Sequence, residues 1–389
     1  MRLLLFALWA LPLCSLVPTT RAASDVAVSW VRNQDFTYNP SLVEHGDKYV
    51  SALKRTTFRK VGRKTFWINH LYMCVGQRDD LHSLRCNAFN PWSEPYLECE
   101  FGSNVRNGKT DVTGLGDVKV WAWPGKGVYA IFGRKPERTP GSGQYCNTKV
   151  VYDQWIAQVR PEPGAGPWRL QQPLRLHLSG GGYTYPDEPA VVMEKNWMPW
   201  VHRGKDGIEM LHVTHMVNPH RVLEVSPSGA CTVRHETQGT KELFARFAEH
   251  PVHGGPPVIR VEAARSGDGQ PYYLGVMHHI EWLTRMSGTK ERKIKLYRHF
   301  AYKFQPEPPF AVTAVSDELR LTFYSNRQHP TKAYIAYVSG FYMADNGTVY
   351  MSYGAGDREA RVMVLPLAEL EASFTGRIEF LQHEGVPTA

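Results

Sequence analysis

Val338-Ser339-Gly340-Phe341-Tyr342-Met343-Ala344-Asp345-Asn346-Gly347-Thr348-Val349-Tyr350-Met351-Ser352-Tyr353-Gly354 reads as a β-hairpin. An apolar strand meets an Asp-Asn-Gly turn, and a second strand rich in aromatic and aliphatic residues returns from it. Asn and Gly supply the backbone angles that a tight turn between twisted strands demands. The same unit occurs four times upstream. Asn39 to Val50 leads into Leu53-Lys54-Arg55. Gly116 to Trp121 turns at Gly125 and runs through Val128-Tyr129-Ala130-Ile131 to Arg134. Val191 to Trp197 turns at Lys205-Asp206-Gly207 and runs from Ile208 to His215. Val258 to Val261 turns at Gly267-Asp268-Gly269 and runs through Tyr273 to His278-His279.

The units recur at roughly 60–80 residues, against about 40–50 for an ordinary propeller blade, so extra outer strands and loops are expected. Five such hairpins predict an all-β chain of five four-stranded sheets around a channel, a five-bladed β-propeller. A pair of β-sandwiches with coincidental hairpins is the competing reading. Composition agrees with many short strands: 33 Gly, 27 Pro and 12% aromatic residues in 389. Lys241–Glu249 alone reads as a helix after the N-terminal segment.

That segment has the features of a signal peptide. Arg2 precedes an apolar run, Leu3 to Val17, broken by Pro12 and Ser15, and Thr20-Arg21-Ala22 offers a cleavage site. The division expected is 1–22 for the signal and 23–389 for one propeller, in the secretory pathway. A retained anchor is the alternative for the first run. No later stretch approaches the roughly 20 apolar residues of a membrane span. The net charge of +8 is dispersed, with Lys54 to Lys64 and Lys290 to Arg298 the most basic stretches. Both read as solvated loop faces, and no nucleic-acid partner is expected. Cys74, Cys86, Cys99, Cys146 and Cys231 follow the signal. They lack metal-ligand spacing, so disulfides are expected among the first four, with Cys231 free. Asn346-Gly347-Thr348 is a glycosylation sequon on a hairpin tip. Neither a metal nor another cofactor is expected, and the oligomeric state is not legible.

Inner strands of a propeller converge at one end of the channel. Arg55, Asp117, Lys119, Arg134, Glu194, Lys195, Asn196, His215, His278, His279, Tyr353 and Asp357 stand at the ends of these strands. Carboxylates, cations, imidazoles and an amide in one funnel suit a polyhydroxylated ligand. His278 and His279 alternate faces, so only one of them can enter the funnel. Trp197 offers either a stacking face for a sugar or blade-core packing.

These elements resemble the five-bladed propellers of the β-mannoside phosphorylase and β-1,2-mannosidase family, with related β-mannosyltransferases. The resemblance runs from Asn39 to about Leu370. It rests on the Asp117 element, Glu194-Lys195-Asn196-Trp197, His278-His279 and Tyr353-Gly354-Ala355-Gly356-Asp357. The family's general acid lies in a Glu-Asp-Pro-Arg pattern. Here Gly116-Asp117-Val118-Lys119 keeps the Asp and a basic residue but not the Glu or Pro. The resemblance implies that Asp117 is the general acid. It also implies that Arg55, Lys119, Arg134, Lys195 and His279 are candidates for holding an anion. Asp357 is expected to orient a hydroxyl or cation, and Glu194 to act as a base or as half of a salt bridge. Asn196, Trp197, His215 and Tyr353 complete the expected sugar-binding set. The activity implied is inverting glycosyl transfer or hydrolysis, with phosphorolysis also possible. A non-catalytic glycan-binding propeller is the alternative, and a protein-interaction scaffold ranks behind both.

Overall fold

The computed structural model describes residues 23–28, 30, 37–61, 64–89, 112–113, 116–134, 150–163, 167–178, 192–193, 196–247, 252–287, 290–323, 334–379 and 381. Residues 1–22, Glu194, Lys195, Cys99 and Cys146 lie outside this set, as does the Arg134 side chain. The expectations attached to them lie outside it too.

Five sheets stand around an axis as the blades of a β-propeller. Strand β1 (Ser24–Val28) comes first in the chain. Blade one contains β2 (Thr37–His45), β3 (Lys48–Val61), β4 (Lys64–Gln77) and β5 (Arg85–Phe89), with β6 (Val112–Thr113) beside β4. Blade two contains β7 (Lys119–Trp123), β8 (Gly127–Arg134), β9 (Val150–Pro161) and β10 (Trp168–Arg175). Blade three takes β11 (His177–Leu178) as its outer edge, while β12 (Val192–Met193) pairs with β9. Its other strands are β13 (Met198–Arg203), β14 (Glu209–Met216), β15 (His220–Val225) and β16 (Ala230–Thr237). Blade four contains β17 (Val252–His253), β18 (Ile259–Val261), β19 (Tyr272–Ser287), β20 (Lys290–Phe304) and β21 (Val312–Glu318). Blade five contains β22 (Ala336–Met343), β23 (Thr348–Ala355) and β24 (Glu359–Pro366).

The five hairpins read from the sequence are the two innermost strands of the five blades. Blade five takes its fourth strand from the other end of the chain: β1 pairs antiparallel with β24, Ser24 opposite Val364 and Val28 opposite Ala360. Asp25 fixes this closure, accepting from Arg361 Nε at 3.1 Å and from the Tyr353 hydroxyl at 2.7 Å. Strands from both ends of the chain thus close the ring, and β1 covers the outer edge of β24. The sequence pattern does not announce this strand, because a five-residue edge carries little periodicity.

The core lies between blades. Val120, Ala130 and Phe132 of blade two meet Leu42, Val50 and Met73 of blade one. Met198 and Trp200 of blade three meet Tyr273 and Phe304 of blade four. Sheets covered on both faces read as continuous apolar runs, as in Tyr49 to Leu53, which are all buried.

Lys241–Phe244 forms α1, capped by Thr240, whose side chain accepts from the Leu243 amide. A 3-10 turn, Ala245–Phe247, follows it, and the last two residues of the helix expected up to Glu249 lie outside the described residues. A second helix, α2 (Leu367–Ala372), follows β24 and buries Leu367 and Leu370. Cys74 and Cys86 face each other across β4 and β5 and form a disulfide, and Cys231 is buried with its thiol donating to the Gly229 carbonyl at 3.5 Å. Asn346 is exposed at the β22–β23 turn.

Candidate functional site

Inner strands β2, β7, β13 and β22 begin at the same end of the ring, and the second strand of each blade returns to that end. Three residues there have left-handed backbone: Asn39 (φ 53°), Asn196 (φ 62°) and Asp357 (φ 52°). Left-handed backbone costs a residue with a Cβ on the order of 1–3 kcal/mol, and such strain concentrates where geometry serves function. Gly354 makes room for the first of these, because a Cβ there would stand 2.7 Å from the Asn39 amide nitrogen.

Asp117 lies just ahead of β7. Its Oδ1 accepts from Lys54 Nζ at 2.5 Å and from Asn39 Nδ2 at 2.8 Å, which joins blade two to blade one. Burial works against the Lys54 charge, but Asp117, Tyr38 and Asp357 outweigh it and raise the pKa of the amine. Both carboxylates therefore bear on one ammonium and share one side of the fold. Tyr297 senses the same pair: burial, then Asp357 and Asp117, push its phenol up to about 12. Asn196 Oδ1 accepts from the Tyr337 hydroxyl at 2.8 Å, bridging blades three and five.

Lys119 lies behind Asp117, 2% exposed, with Nζ donating to the Trp197 carbonyl at 2.9 Å. Burial pulls its pKa down to about 7, and Asp117 opposes that fall. The ammonium charge is thus poised near neutrality and depends on the charge of Asp117.

Three imidazoles form one wall. His253, His278 and His299 are paired across β17, β19 and β20, with ring centroids 5.4 and 5.8 Å apart. Tyr297 stacks on His278 at 4.9 Å. Burial lowers all three pKa values, that of His299 to about 3. For His278 the neighbouring histidines and Lys119 add to the effect. Unfolded histidine titrates near 6.5. The stability gained from the neutral rings is therefore complete above that pH and drains as pH falls towards the folded values. Thermal stability is expected to drop between about pH 6.5 and 4. His299→Phe should flatten the drop, and an unchanged pH profile in this variant would contradict the assignment. Among the described residues no group of three His, Cys, Asp or Glu is arranged to hold a metal ion.

The structure brings Asp117, Lys119, Asn196 and Asp357 to the funnel. It places other expected site residues differently. Arg55 follows Lys54 on β3, so its side chain leaves by the other face, where Nη1 donates to the Tyr72 hydroxyl at 3.3 Å. His279 faces away from His278 and packs against Phe247. Trp197 is 1% exposed, packed with Ile131, Leu211 and Cys231, and contributes its carbonyl and not its ring face to the site. His215 lies edge-on to Trp197. Tyr353 is buried and bonded to Asp25 at the ring closure. The sequence reading missed Asn39, Lys54, Tyr297 and Tyr337.

No family model and no curated protein matches the chain. Solved structures do. A glycosyl hydrolase from Bacteroides ovatus superposes with a TM-score of 0.52 at 13% identity, covering 87% of this chain and 90% of that one. A β-1,2-mannobiose phosphorylase from Listeria innocua, in complex with β-1,2-mannobiose, superposes with a TM-score of 0.50 at 9% identity, covering 92% and 95%. These neighbours belong to the five-bladed propeller glycosidases and mannoside phosphorylases that the sequence resembles, and the fold is one this chain shares with them.

Proposed function

We propose that this chain is a carbohydrate-active enzyme that makes or cleaves a glycosidic bond, of β-mannoside type, in the funnel. The observation that carries the reading is the Asp117 carboxylate, fixed by Lys54 and Asn39 where the inner strands converge, with Asp357 acting on the same ammonium. Two carboxylates at one sugar site are what inversion requires. One passes a proton to the departing oxygen, while the other serves the incoming nucleophile on the opposite face of the ring. Asp117 is the proton carrier in this reading. It takes up that role once substrate has displaced Lys54 from Oδ1 and the carboxylate has taken a proton from solvent. Asp357 orients the nucleophile or a sugar hydroxyl, and Asn196 with Tyr337 holds a second hydroxyl. Lys119 couples its own charge to that of Asp117.

The Lys54 contact also favours a second reading. An aspartate tied to an ammonium is an acceptor of sugar hydroxyls, which suits a glycan-binding propeller without turnover. Incubation with β-mannosides in water, with inorganic phosphate, and with sugar nucleotides plus an acceptor separates the two. Release or transfer of a sugar with inverted anomeric configuration, followed by NMR, is the expected result. Saturable binding with no product under any condition would establish the binding module instead.

A further inference from the structure

The hairpins joining the second and third strands differ in height. Those of blades three and five turn immediately, at Val217–Pro219 and at Gly356–Arg358. In blade four, β19 runs on from His278 at the funnel wall to Ser287, about 30 Å at the usual rise of about 3.3 Å per residue. In blade one, β3 runs on from Lys54 to Val61, about 23 Å by the same rise. Blade five packs between blades four and one, so two raised arms flank one low blade at the funnel mouth.

The register of the blade-four arm fixes which residues share the His278 face. Ile280 pairs with Tyr297, Trp282 with Lys295, and Thr284 with Lys293. Trp282 is 47% exposed, unlike every other described Trp, and Lys295 Nζ stands 4.8 Å from its ring centre. Lys295 also lowers the pKa of His253, which places its charge over the funnel wall. Lys293 is exposed one step further out. The acid on this face, Glu291, accepts from the Thr284 hydroxyl at the outer end. The inner part of the other face is occupied by the fold, and Arg292 is exposed beyond it. Leu283, Ile294 and Leu296 pack with Phe323 and Tyr334, and Arg298 is paired with Glu281 and Glu318. The arm is therefore a fixed wall with a flat aromatic ring and two ammonium groups turned to the ligand side. Across blade five, β3 brings a stretch with no acidic residue between Lys54 and Val61 to the same end.

We propose that the funnel-facing side of the β19–β20 arm is a subsite for an acidic glycan, a saccharide chain bearing carboxylate or sulfate groups. The proposal rests on the sugar-processing reading of the funnel and names the class of chain that enters it. A sugar ring lays its C–H face on Trp282, and the acidic substituents meet Lys295 and Lys293. The aromatic platform supplies area at low entropic cost, and the ammonium groups supply charge-assisted bonds that a neutral glycan cannot form.

The test is calorimetric titration of the full chain with four probes: a heparin hexasaccharide, hexagalacturonate, mannohexaose and hexaglutamate. Both acidic saccharides are expected to bind about tenfold or more tightly than mannohexaose at low salt, and to lose that advantage near 0.5 M salt. Comparison of the two acidic probes decides between sulfate and carboxylate. Lys293→Glu combined with Lys295→Glu should weaken acidic saccharides about tenfold while leaving the melting temperature unchanged. Trp282→Ala should weaken them about fivefold and leave hexaglutamate unaffected. Equal affinity for acidic and neutral saccharides, or wild-type affinity in both variants, overturns the proposal. So does hexaglutamate binding as tightly as the saccharides. Turnover of neutral mannosides without any preference for acidic chains would refute this subsite and keep the enzyme reading. Acidic-saccharide binding that depends on Trp282, without turnover of any glycoside, would do the reverse.

Discussion

Asp117→Asn is expected to lower turnover by roughly 10²–10⁴, the range for loss of a positioned acid or base. Asparagine keeps the size and the acceptor facing Asn39 but carries no charge and no exchangeable acid proton. The structure adds a complication. Lys54, largely buried, would be left without its 2.5 Å partner. A buried charge left with only Tyr38 and Asp357 acting on it should cost roughly 2–4 kcal/mol, the lower part reflecting the partial exposure of Asp117. Activity loss in the single variant is therefore ambiguous by itself. Lys54→Met in the same chain removes the stranded charge. The double variant should recover most of the lost melting temperature and none of the lost turnover. Recovery of turnover along with stability would make Asp117 a structural ion-pair partner. The activity loss in the single variant should also shrink on an activated aryl glycoside, whose leaving group needs no proton.

The five hairpins were legible because each turn carries its own chemistry, as at Asp345-Asn346-Gly347, and each is followed by a strand of recognisable composition. The end of the fold at which the inner-strand ends gather was legible too, since strand direction determines where they meet. The facing of individual side chains was not. Residues Tyr49 to Leu53 and Tyr272 to His279 are buried on both faces of their sheets. No alternation of polar and apolar positions remains to say whether Lys54 or Arg55, or His278 or His279, looks into the funnel. That choice depends on pairing, Tyr38 opposite Lys54 and His253 opposite His278, which one strand alone does not encode. Trp197 and Tyr353 illustrate the same limit. Aromatic residues beside a funnel are equally suited to ligand stacking and to the packing between blades. The basic stretches carried by β3 and β20 looked dispersed because the arrival of both strands at one end is a property of the ring.

Lys119→Met gives the second large effect, and its two halves have opposite signs. Lysine in an unfolded chain titrates near 10.4, and burial brings Lys119 down to about 7 in the fold. Between those values the unfolded chain binds the extra proton, so wild-type stability rises as pH rises through that window. Below about pH 7 the fold carries a buried ammonium at a cost on the order of 4 kcal/mol. Methionine fills similar space without the charge, but leaves the Trp197 carbonyl without its donor, a loss of about 1–3 kcal/mol. The net result expected at pH 6–7 is a melting temperature a few degrees higher than wild type. The difference should shrink above pH 7 and reverse between about pH 8 and 10, where the remaining charge cost falls below that of the lost hydrogen bond. Turnover should fall by about tenfold or more, since a group held at a cost near neutrality beside a reactive carboxylate is the pattern of a functional residue. The alkaline limb of the wild-type pH–rate profile should be lost with it. A variant less stable than wild type at pH 6, with an unaltered pH–rate profile, would mean that Lys119 serves only to bond the Trp197 carbonyl. In that case Asp117 would have no proton-linked neighbour behind it.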